Sequence, residues 1–197
     1  MTDKQVKSIL LAGVGGQGTI LVSRVLTRAL IDAGYDVKMS EIHGMAQRGG
    51  SVSTTVRYGP KVHSPLIGKG AADILVAFEE MEAVRWSDWL KPSGLVVVNA
   101  YKIRPLPVAS GAMDYPPDCI QALSEAFPTI AFDAGKEAQA LGNPRVMNII
   151  LLGAMVEAFD MDEFDWDKAL EETVPPAYKE INKQAFQAGR QLAREAR

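Results

Sequence analysis

The stretch Ser8-Ile9-Leu10-Leu11-Ala12-Gly13-Val14-Gly15-Gly16-Gln17-Gly18 carries most of the information about architecture. Ser8–Ala12 is short, apolar and bounded by glycine, which reads as a buried strand. Gly13–Gly18 fits the pattern G-x-G-x-x-G. From about Gly18 to Ala33 the period changes: Leu21, Val25, Ala29 and Ala33 recur every four positions, and Val22, Leu26 and Leu30 widen the stripe. Arg24, Arg28 and Asp32 lie on the other side, so the segment reads as an amphipathic helix, and Gly34 suits the left-handed residue that ends one. Strand, glycine turn and helix in that order open an α/β fold, with glycines for the tight turn, for close backbone approach and for strand–helix packing.

The rest of the chain repeats this alternation. Val37–Glu41, Ser51–Arg57, Asp73–Phe78, Leu95–Val98 and Thr129–Phe132 read as strands. Helices are expected from about Glu79 to Leu90, over Asp118–Phe127, after Asn143-Pro144 and after Pro175-Pro176. The helix after Pro144 is apolar almost all round and should be buried. Residues 101–117 hold four prolines and a glycine and read as an irregular excursion. The expectation is one domain over residues 1–197, a Rossmann-like three-layer α/β fold whose mostly parallel sheet carries helices on both faces.

Composition narrows the function. The net charge of −3 leaves no electrostatic footprint for nucleic acid or an anionic membrane. The longest clean apolar run, Ile149–Val156, is far short of the ~20 residues that span a bilayer. No signal peptide is visible, so a cytoplasmic protein is expected. Cys119 is the one cysteine. An iron–sulfur cluster takes about four thiolates, and with only His43 and His63 in addition no metal site is expected.

Two loops are the candidate sites. Free amides and the positive end of a helix behind Gly13, Gly15, Gly16, Gln17 and Gly18 favour an anion, and Glu41 stands about where a dinucleotide fold places its ribose-binding acid. The other readings are that the glycines serve close strand–helix packing alone or dock some other group. The second loop, His43-Gly44-Met45-Ala46-Gln47-Arg48-Gly49-Gly50-Ser51, combines an amide, a permanent cation and three glycines. Adjacent parallel strands open at the same edge, so the two loops should be neighbours, with Phe78-Glu79 and Asn99 facing that edge. His43 lacks an evident carboxylate or nucleophile partner and is not assigned to catalysis. Glu79, Glu80 and Glu82 read as carboxylates favouring the start of their helix, and Cys119 as a packing residue. No catalytic residue is assigned.

Gly13–Gly18 followed by Ser40-Glu41-Ile42-His43-Gly44-Met45-Ala46-Gln47-Arg48-Gly49-Gly50-Ser51-Val52 closely resembles the gamma-type subunit of 2-oxoacid:ferredoxin oxidoreductases. Within that family the His43–Gly50 string is most similar to the small (beta) subunit of the indolepyruvate type. Phe78-Glu79 through Leu90-Lys91-Pro92, Val98-Asn99, Gly142-Asn143-Pro144-Arg145 with Leu151-Leu152-Gly153-Ala154, and Val174-Pro175-Pro176 with Asn182–Phe186 extend the resemblance. Residues 101–130 carry no recognised motif. The resemblance implies a reaction in which a 2-oxoacid, CoA and oxidised ferredoxin give acyl-CoA, CO₂ and reduced ferredoxin. Thiamine diphosphate and iron–sulfur clusters would sit on a larger partner subunit. This chain would bind no cofactor alone, and would turn Gly13, Gly15, Gly16, Gln17, Gly18, His43, Gln47, Arg48, Gly49, Gly50 and Ser51 toward that partner or the active-site region. Two other readings stay open: a stand-alone NAD(P)-binding oxidoreductase using Gly13–Gly18, and a purely structural assembly subunit.

Overall fold

The structure, a computed structural model, describes residues 5–43 and 49–196. Its elements run β1 (Lys7–Val14), α1 (Thr19–Asp32), β2 (Asp36–His43), β3 (Ser51–Gly59), β4 (Ala72–Ala77), α2 (Glu80–Trp86), β5 (Leu90–Asn99), α3 (Leu106–Ala109), α4 (Cys119–Ala126), β6 (Thr129–Phe132), α5 (Ala134–Ala140), α6 (Met147–Ala158), α7 (Trp166–Thr173) and α8 (Lys179–Glu195). Strand β1 is buried on both faces, which is why Ser8–Ala12 reads as continuously apolar rather than alternating.

The strands form one six-stranded sheet in the order β2-β3-β1-β4-β5-β6. The pairs β1–β4, β4–β5 and β5–β6 are parallel, so the sheet is mostly parallel as expected. One expectation needs correcting: β2 does not lie beside β1. Strand β3 stands between them and pairs antiparallel with both. β2 and β3 therefore form a hairpin-like pair, and β2 occupies the sheet edge.

Two cores result. On one face Ile9, Leu11, Val56, Ile74, Val76 and Val97 meet the stripe of α1 and the all-round apolar α6. On the other, Leu10, Ala12, Leu75, Ala77, Val96 and Val98 meet Ala83 of α2 and Leu123 of α4. α6 is enclosed because α8 packs along its far side. A Cβ on Gly153 would lie 2.0 Å from the Phe186 carbonyl oxygen, and one on Gly189 1.9 Å from that of Ile150. These two glycines let the helix backbones touch.

Other departures have local causes. α2 stops at Trp86, and Leu90 already belongs to β5, because Lys91 precedes a proline and is biased away from helix. α5 and α7 were not anticipated. Both are short, and both begin at an aspartate, Asp133 and Asp165, whose side chains accept from the amides of Lys136 and Lys168. No helix among the described residues is long and apolar enough to cross a membrane.

Candidate functional site

Antiparallel insertion of β3 brings the two glycine loops together by a route different from the one expected. β1 ends where β3 begins, with Val14 opposite Ser51 and Gly13 opposite Val52. β2 ends at the same place, with His43 opposite Val52. The Gly15 amide donates to the Gly50 carbonyl at 2.9 Å, and the Gly49 amide to the Gly15 carbonyl at 3.3 Å. Gly15, Gly49, Gly50 and Ser51 thus meet at the carboxyl edge of the sheet. Gln47 and Arg48 lie outside the described residues, and of His43 only the backbone register is described.

Gln17 explains the shape of the first loop. Its Oε1 accepts the Val14 amide at 2.7 Å, and its Nε2 donates to the Phe78 carbonyl at 2.8 Å. The side chain lies across the crevice between the ends of β1 and β4, the place where an open α/β sheet receives a ligand. Gly13 leaves it room: a Cβ there would lie 2.9 Å from Gln17 Oε1 and 3.0 Å from Phe78 Cβ. Gly18, the first residue before α1, has φ of 84° and accepts from Asn148 Nδ2 at 3.1 Å. A side chain at that position would be strained and would collide with Asn148.

The bonding continues across the sheet. The Phe78 carbonyl accepts a second bond from Asn99 Nδ2 at 3.2 Å, and Asn99 Oδ1 accepts the first amide of α5, that of Ala134, at 2.9 Å. Glu79 is fully buried and caps α2 by accepting the Glu82 amide at 2.9 Å. Its other oxygen accepts from the Ile103 amide at 3.0 Å and from the Tyr115 hydroxyl. Burial, and then the bond to Glu79, push the Tyr115 phenol well above its ordinary range. Glu82 accepts from the Ser51 hydroxyl at 2.5 Å and from Arg85 Nε at 3.1 Å, tying the second loop to α2. Glu80 pairs with Lys102 at 3.6 Å. Burial, followed by the charges of Glu80 and Glu79, raises the Cys119 thiol. A protonated, buried thiol is a packing group rather than a nucleophile.

The placement of Phe78-Glu79 and Asn99 at this edge agrees with the sequence reading, as does the role of the glutamates at the start of α2. Tyr115 and Asn148 were missed. Neither has a local motif, since each acts on a residue far away in the chain. Glu41, the candidate ribose-binding acid, is separated from β1 by β3 and accepts from Ser23 of α1 at 3.1 Å.

Among the described residues no group of three or more histidine, cysteine, aspartate or glutamate side chains could hold a metal ion. Among the described residues the side chains of Gln17, Asn99, Glu79 and Glu82 at this edge are each bonded within the chain.

The model for pyruvate ferredoxin/flavodoxin oxidoreductase matches residues 8–192. The chain belongs to that family. It is 37% identical over 194 residues to the indolepyruvate oxidoreductase subunit IorB of Thermococcus kodakarensis, covering 95% of this chain and 96% of that one. Among solved structures it resembles the gamma subunit of a keto/oxoacid ferredoxin oxidoreductase from Geobacter sulfurreducens. The TM-score is 0.71 and the identity 27%, over 96% of this chain and 99% of that one. The same fold recurs in the 2-oxoglutarate:ferredoxin oxidoreductase of Magnetococcus marinus at a TM-score of 0.77 and 22% identity. There the match spans 98% of this chain but 32% of the other, so the unit forms part of a longer polypeptide. The similarity to subunits of such oxidoreductases spans nearly the whole of this chain.

Proposed function

We propose that this chain is the small subunit of a 2-oxoacid:ferredoxin oxidoreductase of the indolepyruvate type. The complex would convert an arylpyruvate, CoA and oxidised ferredoxin into acyl-CoA, CO₂ and reduced ferredoxin. Thiamine diphosphate and the iron–sulfur clusters would belong to a larger subunit; one buried thiol, Cys119, is too few to ligate a cluster. When bound there, they supply carbanion stabilisation and single-electron acceptance. The work of this chain is to hold a wall of the active-site region in place, with Gly15–Gly18 and Gly49–Ser51 as its frame, and with Gln47 and Arg48 offering hydrogen bonds and charge from the connecting loop.

The observation that carries this reading is the junction of the two glycine loops at the carboxyl edge, locked by Gln17. Side chains that are engaged in holding the edge together support a neighbour's chemistry better than they perform their own. The alternative of a stand-alone NAD(P) enzyme meets three obstacles: Gln17 lies in the crevice, the Gly15 amide is already engaged, and Glu41 sits one strand too far from β1. A protein that only aids assembly differs in one respect, namely whether Gln47 and Arg48 affect turnover once the complex has formed.

The test is co-expression with the thiamine- and cluster-bearing subunit, followed by 2-oxoacid-dependent, CoA-dependent viologen reduction. Activity is expected in the complex with an arylpyruvate as the preferred substrate, and none in the isolated chain. Turnover by the isolated chain, or its saturable binding of NADH, overturns the proposal. Arg48→Ala should lower turnover or weaken assembly; unchanged kinetics with unchanged complex mass would remove Arg48 from the site.

A further inference from the structure

Two stretches outside the glycine loops, Asn143-Pro144-Arg145 and Val174-Pro175-Pro176 with Asn182, converge around a cavity of about 120 Å³ at the start of α1. Its floor is apolar: Leu21, Val146, Val174 and Pro175. Arg145 and Tyr178 stand at its rim, both exposed, Tyr178 by 49%. The rim is held in shape, because Asn182 Nδ2 donates to the Tyr178 carbonyl at 2.7 Å and Asn143 Oδ1 accepts the Arg145 amide at 3.1 Å.

Size and charge select the occupant. Cofactor and drug-sized sites run from ~300 Å³ upward, whereas a cavity near 150 Å³ suits one benzene-sized group. This one fits a single apolar side chain. The charge at its rim is positive, since Arg145 lines the cavity and no ion pair holds it among the described residues. Arg28, by contrast, is already committed to Asp32 and Glu172. The position is also telling. The bond from Asn148 to Gly18 fixes the start of α6 against the glycine loop, so the cavity opens about one helical turn from the proposed partner-facing edge. In the Magnetococcus polypeptide the same fold makes up 32% of a longer chain.

We infer that this cavity is a socket for one apolar side chain of the larger subunit, presented on a segment with a carboxylate beside it that pairs with Arg145. The inference rests on the proposed subunit role and adds a second, separate contact to the glycine-loop edge. An apolar anchor in a preformed pocket flanked by a charge pair is the kind of contact that concentrates binding energy and sets association rate.

The experiment mixes the purified chain with the purified larger subunit and measures the dissociation constant and its salt dependence. The variants are Arg145→Glu, Tyr178→Ala and the distant control Lys69→Glu, each checked for an unchanged melting temperature. Arg145→Glu should weaken association at least tenfold and flatten the salt dependence. Tyr178→Ala should weaken it severalfold, and Lys69→Glu should match the unaltered chain. Equal affinity for all variants overturns the socket while leaving the subunit role standing. So does equal weakening by the control, which would mean a diffuse charge effect. Sedimentation showing that the chain pairs with a second copy of itself, and that Arg145→Glu separates the copies, assigns the cavity to self-association and also overturns it. Failure of the unaltered chain to bind the larger subunit at all removes the subunit role, and the socket with it.

Discussion

Gln17→Ala separates a loop that is locked by its own side chain from a loop that waits for a ligand. The substitution removes the acceptor of the Val14 amide and one of the two donors to the Phe78 carbonyl. The two losses are unequal. Phe78 keeps Asn99, so that loss is an ordinary hydrogen bond of about 1 kcal/mol. Val14 is buried and has no second acceptor of comparable geometry, so its amide carries a desolvation cost of about 1–3 kcal/mol. Gln17 itself is half-buried, which lets water replace part of what is lost and brings the total to about 2 kcal/mol. For a chain of this size that is a fall in melting temperature of roughly 4–8 °C. Gln17→Glu keeps an acceptor for Val14 but sets a carboxylate against the Phe78 carbonyl, and should be at least as damaging at neutral pH. Calorimetry on the isolated chain reads both. If Gln17→Ala melts within about 1 °C of the unaltered chain while complex activity disappears, Gln17 is a partner-facing group and the lock is refuted.

Three further outcomes follow from packing and charge. Gly189→Ala should cost about 3 kcal/mol despite better helix propensity, because a Cβ 1.9 Å from the Ile150 carbonyl oxygen forces α8 away from α6; a melting temperature equal to that of the unaltered chain would contradict the contact. Tyr115→Phe removes the hydroxyl that donates to Glu79 and accepts the Met81 amide. Hydrogen exchange should therefore quicken at Met81 and across residues 101–117, while the core of β1 stays protected. Glu157 is held below the ordinary glutamate value of 4.5 first by its bond to Arg194 and then by Arg190. A depressed folded-state value means the pair stabilises the chain above about pH 4.5 and fades as pH falls through the lowered value. Glu157→Gln should therefore melt below the unaltered chain at pH 7, and the gap should close as pH falls through the lowered value. A gap that does not change with pH would show the loss to be one of packing.

What was legible in the sequence followed from one-dimensional periodicity. Ser8–Ala12, Asp73–Phe78 and Leu95–Val98 announce themselves because strands buried on both faces are continuous apolar runs. α1 is visible in the four-residue recurrence from Leu21 to Ala33. The partner of a strand is not written in its own residues. Ser51–Arg57 alternates and is rich in β-branched residues, which identifies a strand yet says nothing about its insertion between β1 and β2. The neighbourhood of the glycine loops was inferred from parallel adjacency and came about through an antiparallel pair, because both arrangements bring the ends of β1 and β2 to one edge. α5 and α7 escaped because they are too short for a periodic signal; their aspartate caps were the available clue. The lock by Gln17 was out of reach, since it depends on a carbonyl 61 residues away.

The distribution of polar partners along the edge bears on why such a chain works as a subunit. An active site that does its own chemistry keeps unsatisfied groups or strained geometry aimed at the reacting atoms. Here Gln17, Asn99, Glu79, Glu82 and Tyr115 are each engaged with the chain itself, and several with backbone atoms from two different elements. Such a frame resists deformation, because moving any one strand end breaks bonds to its neighbours. It adds little chemistry of its own, for the same reason. On the proposed reading, the groups left over for function are Gln47 and Arg48 of the second loop and the charged rim at Arg145. A rigid edge matches the needs of the larger subunit proposed above, whose cofactors would have to be held in register within a fraction of an ångström. On this view, loosening the frame by Gln17→Ala and removing a contact by Arg145→Glu are different injuries. The first should lower turnover of complexes that still assemble, and the second should lower assembly while leaving the turnover of each assembled complex unchanged. If both variants fell on the same measure in the same proportion, the division between frame and contact would be wrong.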